Sequence, residues 1–398
     1  MLLKNNFHLS YCSNIHSGTN WEVTFDGLKN NLPKVKDAFS PDAPFGVGLR
    51  LSNLASEQLG VEEELDTFKS WLYENGFYVF TMNGFPYGNF HGQPVKDEVH
   101  APDWTSLERL KYTLRLFDQL SVLLPEGVEG GISTSPVSYK HWHKGDAEVK
   151  KVLERGAANI AKAALRLFQI ENETGKHMHL DLEPEPDGLL ENTQEVLSFY
   201  RNYLVPAAVA TFGQAGIFEL EAEKLVKKYI NICYDVCHFA LAFEEPKHTF
   251  QQLANAGIKI GKIQISAALR IIQDNRNLQE IWDSLKAFDE PTYLHQVTEM
   301  VNGNVKTYSD LPEILSQQKD FAELRAHFHV PIFLAHFGLL YSTQDQIVAT
   351  LEFLKQHPNL TKHLEIETYT WEVLPAAMKI PIVDSIVREL NWAKMHIQ

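Results

Sequence analysis

Three apolar stretches of the chain end in alternating polar residues, and this pattern limits the fold more than any other feature. The stretches are HMHLDLE at 177–183, INICYDVCH at 230–238 and HLEIE at 363–367. Successive side chains of a strand point to opposite faces, so Asp181 and Glu183 share one face while Leu180 and Leu182 share the other. Helices normally cover the outer face of a parallel sheet, so the polar face predicts the lumen of a closed barrel.

Strand-like stretches alternate with helical ones along the 398 residues, which is typical of an α/β barrel. We predict one TIM (β/α)8 barrel domain over residues 1–398, with insertions in the loops after the third and seventh strands. Residues 267–322 are expected to form an insertion or arm, and HLEIE is expected to close the barrel. The predicted strands lie at 7–16, 44–52, 76–84, 129–136, 177–183, 230–235 and 259–269, with later candidates at 293–297, 326–333 and 363–371. The predicted helices include 147–173, 190–214 and 374–394.

The composition limits the classes of partner. A formal net charge of −15 argues against nucleic acid, because its phosphates are usually bound by clustered Lys and Arg. The chain contains no apolar run near the roughly 20 residues of a membrane span and does not begin like a signal peptide. We therefore expect no membrane insertion and a cytoplasmic location. The three cysteines are expected to be buried free thiols.

The predicted lumen is unusually polar. Burying an uncompensated charge is expensive, so such a lumen implies mutual pairing, water, a metal or a substrate. A lumen that serves only for packing would contain mainly Val, Ile and Leu. The predicted inward-facing side chains are His8, Ser10, Cys12, Asn14, His16, Arg50, Thr81, Asn83, Glu183, Asp235, Lys262, Gln264, His327, His329, Glu365 and Glu367.

Carboxylates combined with imidazole suit a divalent cation such as Mn²⁺, Mg²⁺, Fe²⁺, Co²⁺ or Zn²⁺. Two glutamates on opposite sides of a bound sugar could remove and return a proton next to a carbonyl. Glu183 and Glu367 are the candidates for this catalysis, with Glu365 as a supporting residue. The alternative is structural, with Glu183 paired to Lys262 or Arg50.

Each histidine near the predicted site has two possible roles. Asp235 and His238 are three residues apart just past a strand end, where Asp235 could bind a metal. His238 could contact substrate or be a hydrogen-bonded wall residue. His327 and His329 point inward if their strand belongs to the barrel, and they are surface or lid residues if it belongs to an excursion.

Further substrate-binding candidates come from the first, second and seventh strands. They are His16, Asn14, Arg50 and Lys262. The loop FPYGNFHG at 85–92 could close over a polyol ring, and a plain packed loop is the alternative. The sequence contains no GxGxxG, GxxxxGK[ST], GxSxG or HExxH motif, so nicotinamide, nucleotide-triphosphate and serine-hydrolase functions lack support.

The chain resembles the EboE family of metabolite traffic proteins. The resemblance rests on YCSNIH at 11–16, FGVGLRLS at 45–52, HLDLEPEP at 179–186, YDVCHFALAFE at 234–244, GKIQIS at 261–266, HFHVPIF at 327–333 and HLEIETYTWEVLP at 363–375. It implies a xylose isomerase-like TIM barrel, related to sugar phosphate isomerases and epimerases, in a gene cluster for a secondary metabolite. A small-molecule metabolite is the implied partner, and a homo-oligomer or proteins of the same cluster stay open.

The resemblance also implies a ligand set. The superfamily's metal pattern matches Glu183, Asp235 with His238, and Glu367. Its seventh strand commonly offers a histidine, where this chain has Gln264. Either Gln264 coordinates, a histidine of HFHVPIF such as His329 replaces it, or the site binds ligand without a metal.

Three functions follow from this pattern. The first is a metal-dependent isomerase or epimerase acting on a sugar, polyol or sugar phosphate. The second is a non-catalytic metabolite-binding barrel of the same cluster, which the glutamine at position 264 favours. The third is an endonuclease IV-like phosphodiesterase, which the acidic charge disfavours.

Overall fold

Eight parallel strands form a nearly closed barrel. The computed structural model describes residues 1–89, 95–273, 277–375 and 379–398. The predicted α/β barrel is confirmed. The barrel strands are β1 (His8–Tyr11), β2 (Phe45–Arg50), β3 (Phe77–Asn83), β4 (Gly130–Thr134), β5 (Met178–Leu182), β6 (Ile230–Asp235), β7 (Ile260–Ile265) and, after an inserted segment, β14 (His363–Ile366).

The strand order closes the ring through β14. The hydrogen-bonded order is β1-β14-β7-β6-β5-β4-β3-β2, so HLEIE lies between the first and seventh strands as expected. The two remaining edges, β1 and β2, meet at a parallel bridge between Cys12 and Gly48. The Ser10 hydroxyl reinforces this seam, because it accepts a hydrogen bond from the Gly48 amide at 2.9 Å and donates to the Gly46 carbonyl at 2.7 Å.

A second sheet is inserted between β7 and β14. Its six strands are antiparallel and follow the order β10-β9-β11-β8-β13-β12. The strands of this sheet run from Leu269 to Ser342, whereas the insertion was predicted at 267–322. The strands are β8 (Leu269–Ile272), β9 (Val297–Val301), β10 (Asn304–Tyr308), β11 (Glu323–Ala326), β12 (His336–Phe337) and β13 (Leu340–Ser342).

The helices follow the predicted alternation with two differences. The segment expected at 190–214 contains two α-helices joined by a π-helical turn, Tyr200–Leu204. The last helix was predicted from 374 and begins at Ile382, directly after Pro381. A 3₁₀ turn, Tyr369–Glu372, lies before the predicted start. The helices are α1 (Trp21–Phe39), α2 (Asn53–Leu59), α3 (Glu62–Glu74), α4 (Leu107–Leu123), α5 (Asp146–Thr174), α6 (Thr193–Phe199), α7 (Val205–Gln214), α8 (Glu219–Tyr229), α9 (Val236–Leu241), α10 (Pro246–Asn255), α11 (Leu278–Lys286), α12 (Leu311–Gln317), α13 (Gln344–Gln356) and α14 (Ile382–Ile397).

Among the residues described, no single helix has both the length and the apolar character needed to cross a membrane. The helical segments 193–214 and 219–229 meet the length and composition only as a pair, and they are bent by 116°.

The inserted sheet packs onto the C-terminal end of the barrel. Arg325 of β11 donates from Nη1 to the Ala240 carbonyl of α9 at 2.5 Å, and its guanidinium lies 4.0 Å from the centre of the Phe243 ring. The Val330 amide donates to the Ala267 carbonyl at 3.0 Å. Because active sites of such barrels lie at this end, the insertion is placed to contribute to one.

Polar side chains also occur in the lumen well below the carboxylates. Near the N-terminal end of β5, His179 Nδ1 lies 2.6 Å from Asp181 Oδ1, and both side chains are buried. Gly261 makes room for this pair, because a Cβ atom at that position would lie 1.9 Å from Asp181 Oδ1. Met178, Leu180 and Leu182 point outward into the apolar layer beneath the helices, so the alternation in HMHLDLE has the predicted consequence.

Glu389 joins the last helix to the loops around the barrel mouth. Its buried carboxylate accepts hydrogen bonds from Thr368 Oγ1 at 2.7 Å and from the Ile332 amide at 3.2 Å. Burial raises the pKa of Glu389 to about 7, although these hydrogen bonds oppose the shift. The folded state therefore holds a proton that the unfolded chain releases near pH 4.5.

Glu389 is expected to make stability depend on pH. A raised carboxyl pKa favours folding below the unfolded pKa, and this contribution is lost as the pH rises from about 4.5 to about 7. The loss amounts to about 3 kcal/mol. Glu389→Gln removes the titration, so urea unfolding should show the variant gaining about 3 kcal/mol on the wild type between pH 4.5 and pH 8. An identical stability difference at both pH values would contradict this assignment.

Candidate functional site

Three carboxylates meet at the C-terminal end of the barrel. Glu183 follows β5, Asp235 ends β6 and Glu367 follows β14. One oxygen of each lies within 4.8 Å of the others, and all three side chains are buried. The strands set this position, because the Glu183 amide donates to the Thr134 carbonyl at 2.9 Å and the Glu367 amide donates to the Ile265 carbonyl at 3.2 Å.

The three carboxylates do not titrate alike. Burial, and then the charge of Asp235, raises the pKa of Glu183 to about 8. Burial and the charges of Glu183 and Asp235 also raise the pKa of Glu367. Burial alone would raise the pKa of Asp235 as well, but nearby imidazoles and hydrogen bonds bring it below its ordinary value. The cluster thus combines one stable carboxylate with two that retain protons near neutral pH.

Hydrogen bonds hold the carboxylates of Asp235 and Glu367 in place. Asp235 Oδ1 accepts from Ser266 Oγ at 2.7 Å and from the His238 amide at 3.1 Å, which also caps α9. Glu367 Oε1 accepts from Asn14 Nδ2 at 2.7 Å. Asp235 Oδ2 has no hydrogen-bond partner among the described residues, although it is fully buried. Such an atom is a candidate ligand for a cation.

A pocket opens above the carboxylates. It encloses about 640 Å³ between protein atoms, part of it open to solvent. Its walls come from the barrel strand ends, the loop after β3 and the inserted segment. The loop contributes Phe85, Pro86, Val95, Lys96, Val99 and His100, and the insertion contributes Tyr293, Leu294, Gln296, His327 and His329.

The loop at 85–92 borders the pocket with its first two residues. Phe85 and Pro86 line the pocket, and residues 90–92 lie outside the described part of the chain. The prediction that the loop closes over a polyol ring therefore stays a prediction.

Lys262 was expected to bind substrate, and the structure places it below the site instead. Its Nζ donates to Glu365 Oε2 at 2.7 Å, and to Asn83 Oδ1 and Ser133 Oγ at 3.0 Å each. Lys262 and Glu365 are fully buried and do not line the pocket. The alternative of an ion pair between Glu183 and Lys262 is not formed, because Lys262 pairs with Glu365 instead.

Glu365 occupies space that a glycine leaves open. A Cβ atom at position 48 would lie 1.7 Å from Glu365 Oε1 and 2.7 Å from the Tyr11 carbonyl oxygen. The barrel therefore forms its buried ion pair beside Gly48, at the seam between β1 and β2.

Arg50 and His16, also predicted to bind substrate, do not line the pocket. The Arg50 guanidinium donates to the carbonyls of Gly18 and Pro86 at 3.1 Å each, and also to that of Gly88. It holds loops together rather than pairing with Glu183. The alternation that placed His16 inward ends when β1 ends at Tyr11, and His16 Nε2 lies 2.9 Å from the Tyr11 hydroxyl.

Gln264 lies beside the carboxylates without a partner. It is aligned with Asp235 on β6 and with Glu365 on β14. Its side chain is fully buried, and neither Oε1 nor Nε2 forms a hydrogen bond with described residues. Metal ligation by Gln264 stays a prediction, which its free amide oxygen allows.

The segment HFHVPIF is outside the barrel, yet its histidines reach the site. His327 and His329 follow β11 of the inserted sheet and are 7% and 0% exposed. The expectation that an excursion would make them surface or lid residues is wrong, because the inserted sheet folds back over α9. His238 of α9 contacts one of them, with its Nε2 at 3.1 Å from His327 Nε2.

Several lining residues had no sequence prediction. Glu185 continues the alternation of HLDLEPEP by two positions and could have been found by that signal. His100, Tyr293, Gln296 and Tyr369 lie outside the strands of the structure, although 293–297 and 363–371 were predicted as strands, so alternation does not identify them as lining residues. Cys12, Cys233 and Cys237 are buried and free, as predicted.

The comparisons with known proteins support the fold. A xylose isomerase-like TIM barrel protein from Mycobacterium smegmatis, solved in complex with magnesium, matches with a TM-score of 0.50 and 9% identity over 100% of this chain and 98% of that one. The fold is that of a xylose isomerase-like TIM barrel. A D-tagatose 3-epimerase-like protein of the same fold has a TM-score of 0.49 and 11% identity, covering 98% of this chain and 97% of its own.

No protein-family profile and no curated protein sequence matches the chain. The resemblance to EboE therefore stays a prediction, whereas the xylose isomerase-like barrel is established by its strands and by the structural match.

Proposed function

We propose that the protein is a metal-dependent isomerase or epimerase that moves a proton on a sugar-like or polyol metabolite. The observation that carries this proposal is the convergence of Glu183, Asp235 and Glu367, buried within 4.8 Å of one another beneath a pocket. Three buried carboxylates repel each other unless protons or a cation compensate them. A buried carboxylate cluster adds no apolar packing, so the arrangement favours chemistry.

The donor set fits a divalent cation. Glu183, Asp235 and Glu367 supply three carboxylates, and the free Oδ2 of Asp235 and Oε1 of Gln264 are oriented by the same two strands. Oxygen donors of this kind suit Mg²⁺ or Mn²⁺. The magnesium in the structure of the Mycobacterium smegmatis protein is in line with this choice. When bound, such an ion would polarise a substrate carbonyl or stabilise an enediolate.

The protein groups supply the proton transfer. Glu183 and Glu367 each have two carboxylate oxygens, so one oxygen can bind the cation while the other takes up or releases a proton. They belong to different strands, so they reach a bound substrate from different directions. Asn14 holds the Glu367 carboxylate in place at 2.7 Å. One glutamate can remove a proton next to a carbonyl while the other returns it.

The charges around the pocket favour a substrate without phosphate. Lys96 is the one lysine or arginine among the described lining residues, and its Nζ is 2.7 Å from Asp310 Oδ2. Burial lowers the pKa of His100, His238 and His329, so these imidazoles are neutral. Residues 90–94 contain no lysine or arginine. Phosphate groups are normally held by such cations, so we favour a neutral polyol over a sugar phosphate.

A metabolite-binding barrel without turnover is the second candidate. Gln264 stands where the superfamily pattern carries a histidine, and a weaker ligand set would favour binding over catalysis. The role in a metabolite gene cluster and the cytoplasmic location belong to either proposal and come from the EboE resemblance.

Metal content tests the proposal directly. We expect protein purified without chelator to contain at least one divalent cation per chain by elemental analysis. The Glu183→Gln/Glu367→Gln double variant should lose the ion of the carboxylate site, because two of its three charged ligands are gone. A Glu154→Gln/Glu173→Gln variant, altered on the outer surface of α5, serves as the matched control. Wild-type protein that stays metal-free after incubation with Mn²⁺ or Mg²⁺ would favour the binding barrel.

A further inference from the structure

Three imidazoles converge beside the carboxylate cluster, and the proposed isomerase chemistry does not use them. His238 comes from α9, while His327 and His329 come from the inserted segment. Their ring centres are 4.8 to 5.7 Å apart, and all three side chains are buried. The question is which nitrogen of each ring carries a hydrogen.

Backbone carbonyls settle the tautomers of two rings. His238 Nδ1 lies 3.1 Å from the Pro184 carbonyl oxygen, and His329 Nδ1 lies 2.8 Å from the Glu367 carbonyl oxygen. A carbonyl oxygen can only accept a hydrogen bond, so both Nδ1 atoms must donate. In the neutral ring, Nε2 of each histidine then carries a lone pair and no hydrogen.

The third ring is settled through a glutamine. Gln296 Nε2 donates to the Pro186 carbonyl at 3.2 Å, which orients the amide and turns Oε1 toward His327. His327 Nδ1 lies 2.9 Å from this Oε1 and must donate to it. His327 Nε2 therefore also carries a lone pair. Histidines that bind metals are oriented in the same way, because the ring nitrogen that does not bind the metal donates a hydrogen bond.

The lone pairs of two rings face each other. His238 Nε2 and His327 Nε2 are 3.1 Å apart, a distance at which two lone pairs without a positive centre between them repel. His329 Nε2 is buried and has no hydrogen-bond partner among the described residues. The donor atoms of Asp235, His238 and His329 also lie within 4.8 Å of one another. These contacts bring the electron-pair donors of the three rings and of Asp235 close together.

We propose that His238, His327 and His329, together with Asp235, form a second divalent-cation site of the class that binds Zn²⁺. Three imidazole nitrogens and one carboxylate are a donor set typical of zinc, whereas the oxygen-rich neighbour suits Mg²⁺ or Mn²⁺. Asp235 is common to both sites, because each of its two carboxylate oxygens can bind one ion.

The location of the second site gives the inserted sheet a function. Two of the three imidazoles come from the segment after β11, so the site forms only when the insertion is folded onto α9. The thiol of Cys237 lies within 4.8 Å of the donor atoms of His327 and His329 and adds a soft donor on that side. The site does not depend on whether the carboxylate cluster is catalytic.

Titration with Zn²⁺ tests this site separately from the first. Metal-free wild-type protein, titrated in competition with a chromophoric chelator, should bind two Zn²⁺ per chain. His327→Ala/His329→Ala should bind one, and Glu183→Gln/Glu367→Gln should also bind one. His357→Ala, on the exposed end of α13, should bind two like the wild type. Circular dichroism confirms that each variant is folded.

The outcomes distinguish the two proposals. If the carboxylate variant loses one Zn²⁺ and the histidine variant loses none, the second site is refuted and the first stands. If only the histidine variant loses one Zn²⁺, the first site is refuted and the second stands. Should the histidine variant fail to fold, X-ray absorption of Zn²⁺ bound to Glu183→Gln/Glu367→Gln replaces it. At least two imidazole ligands are expected there, and a shell of oxygen atoms alone would overturn the site.

Discussion

Replacement of Glu183 by glutamine is expected to lower proton exchange on the substrate by about 10² to 10⁴-fold, the usual range for a general acid or base. Glutamine keeps the shape of the side chain but cannot accept or release the proton. The fold should persist, because burial and Asp235 already favour the uncharged form of Glu183. The measurement is deuterium incorporation from D₂O, followed by NMR, into a panel of unphosphorylated and phosphorylated aldoses and ketoses with Mg²⁺ or Mn²⁺ present.

The matched control for this experiment is Glu389→Gln. It also removes a buried carboxylate of raised pKa, but this residue is on the outer helix α14 and does not line the pocket. It should exchange protons at the wild-type rate. Equal rates in the wild type and Glu183→Gln would remove Glu183 from the chemistry. Binding of a panel member without exchange in the metal-loaded wild type would establish the binding barrel instead.

Replacement of Lys262 by methionine is expected to destabilise the protein by about 3 to 5 kcal/mol, the usual cost of breaking a buried ion pair. Methionine is unbranched like lysine and one atom shorter, and it leaves the Glu365 carboxylate buried without a cation. Asn83 Oδ1 and Ser133 Oγ lose a donor as well. Chemical denaturation of the metal-free protein gives the free energy of unfolding.

A second change should rescue much of this loss. Lys262→Met/Glu365→Gln removes the uncompensated charge, so we expect the double variant to recover at least about half of the destabilisation. Lys150→Met breaks an exposed ion pair with Glu154 on α5 and should change stability by less than about 1 kcal/mol. A small effect of Lys262→Met, or no recovery in the double variant, would show that the pair does not stabilise the barrel.

The two predictions separate the upper and lower halves of the lumen. Glu183 faces the pocket, whereas Lys262 and Glu365 lie beneath it and are sealed from solvent. Replacing Glu183 in the upper half is expected to lower turnover and leave stability normal. Replacing Lys262 in the lower half is expected to lower stability. This division follows the general rule that residues at the C-terminal mouth of a barrel act on ligands.

The inserted sheet changes what the barrel can bind. It brings Tyr293, Gln296, His327 and His329 over the mouth, and the pocket owes part of its walls to them. The sheet is anchored by Arg325 on the Ala240 carbonyl, so its position follows from contacts with α9. The proposed isomerase site and the proposed zinc site therefore share one entrance.

The sequence by itself determined the barrel and its central carboxylates. The period of two in HMHLDLE and HLEIE places Glu183 and Glu367 on the inner face, because alternation is a local property of a strand. Asp235 follows from the end of an apolar strand in the same way. These predictions required no knowledge of which strands are neighbours.

Only the tertiary structure decided which polar groups meet. Lys262 pairs with Glu365 because β7 and β14 are adjacent, and the chain separates these residues by about a hundred positions. His16 leaves the lumen because β1 ends before it. His327 and His329 reach the site because the inserted sheet folds back over α9. Contacts between distant segments depend on how whole elements pack, and a local pattern in the sequence does not record that packing.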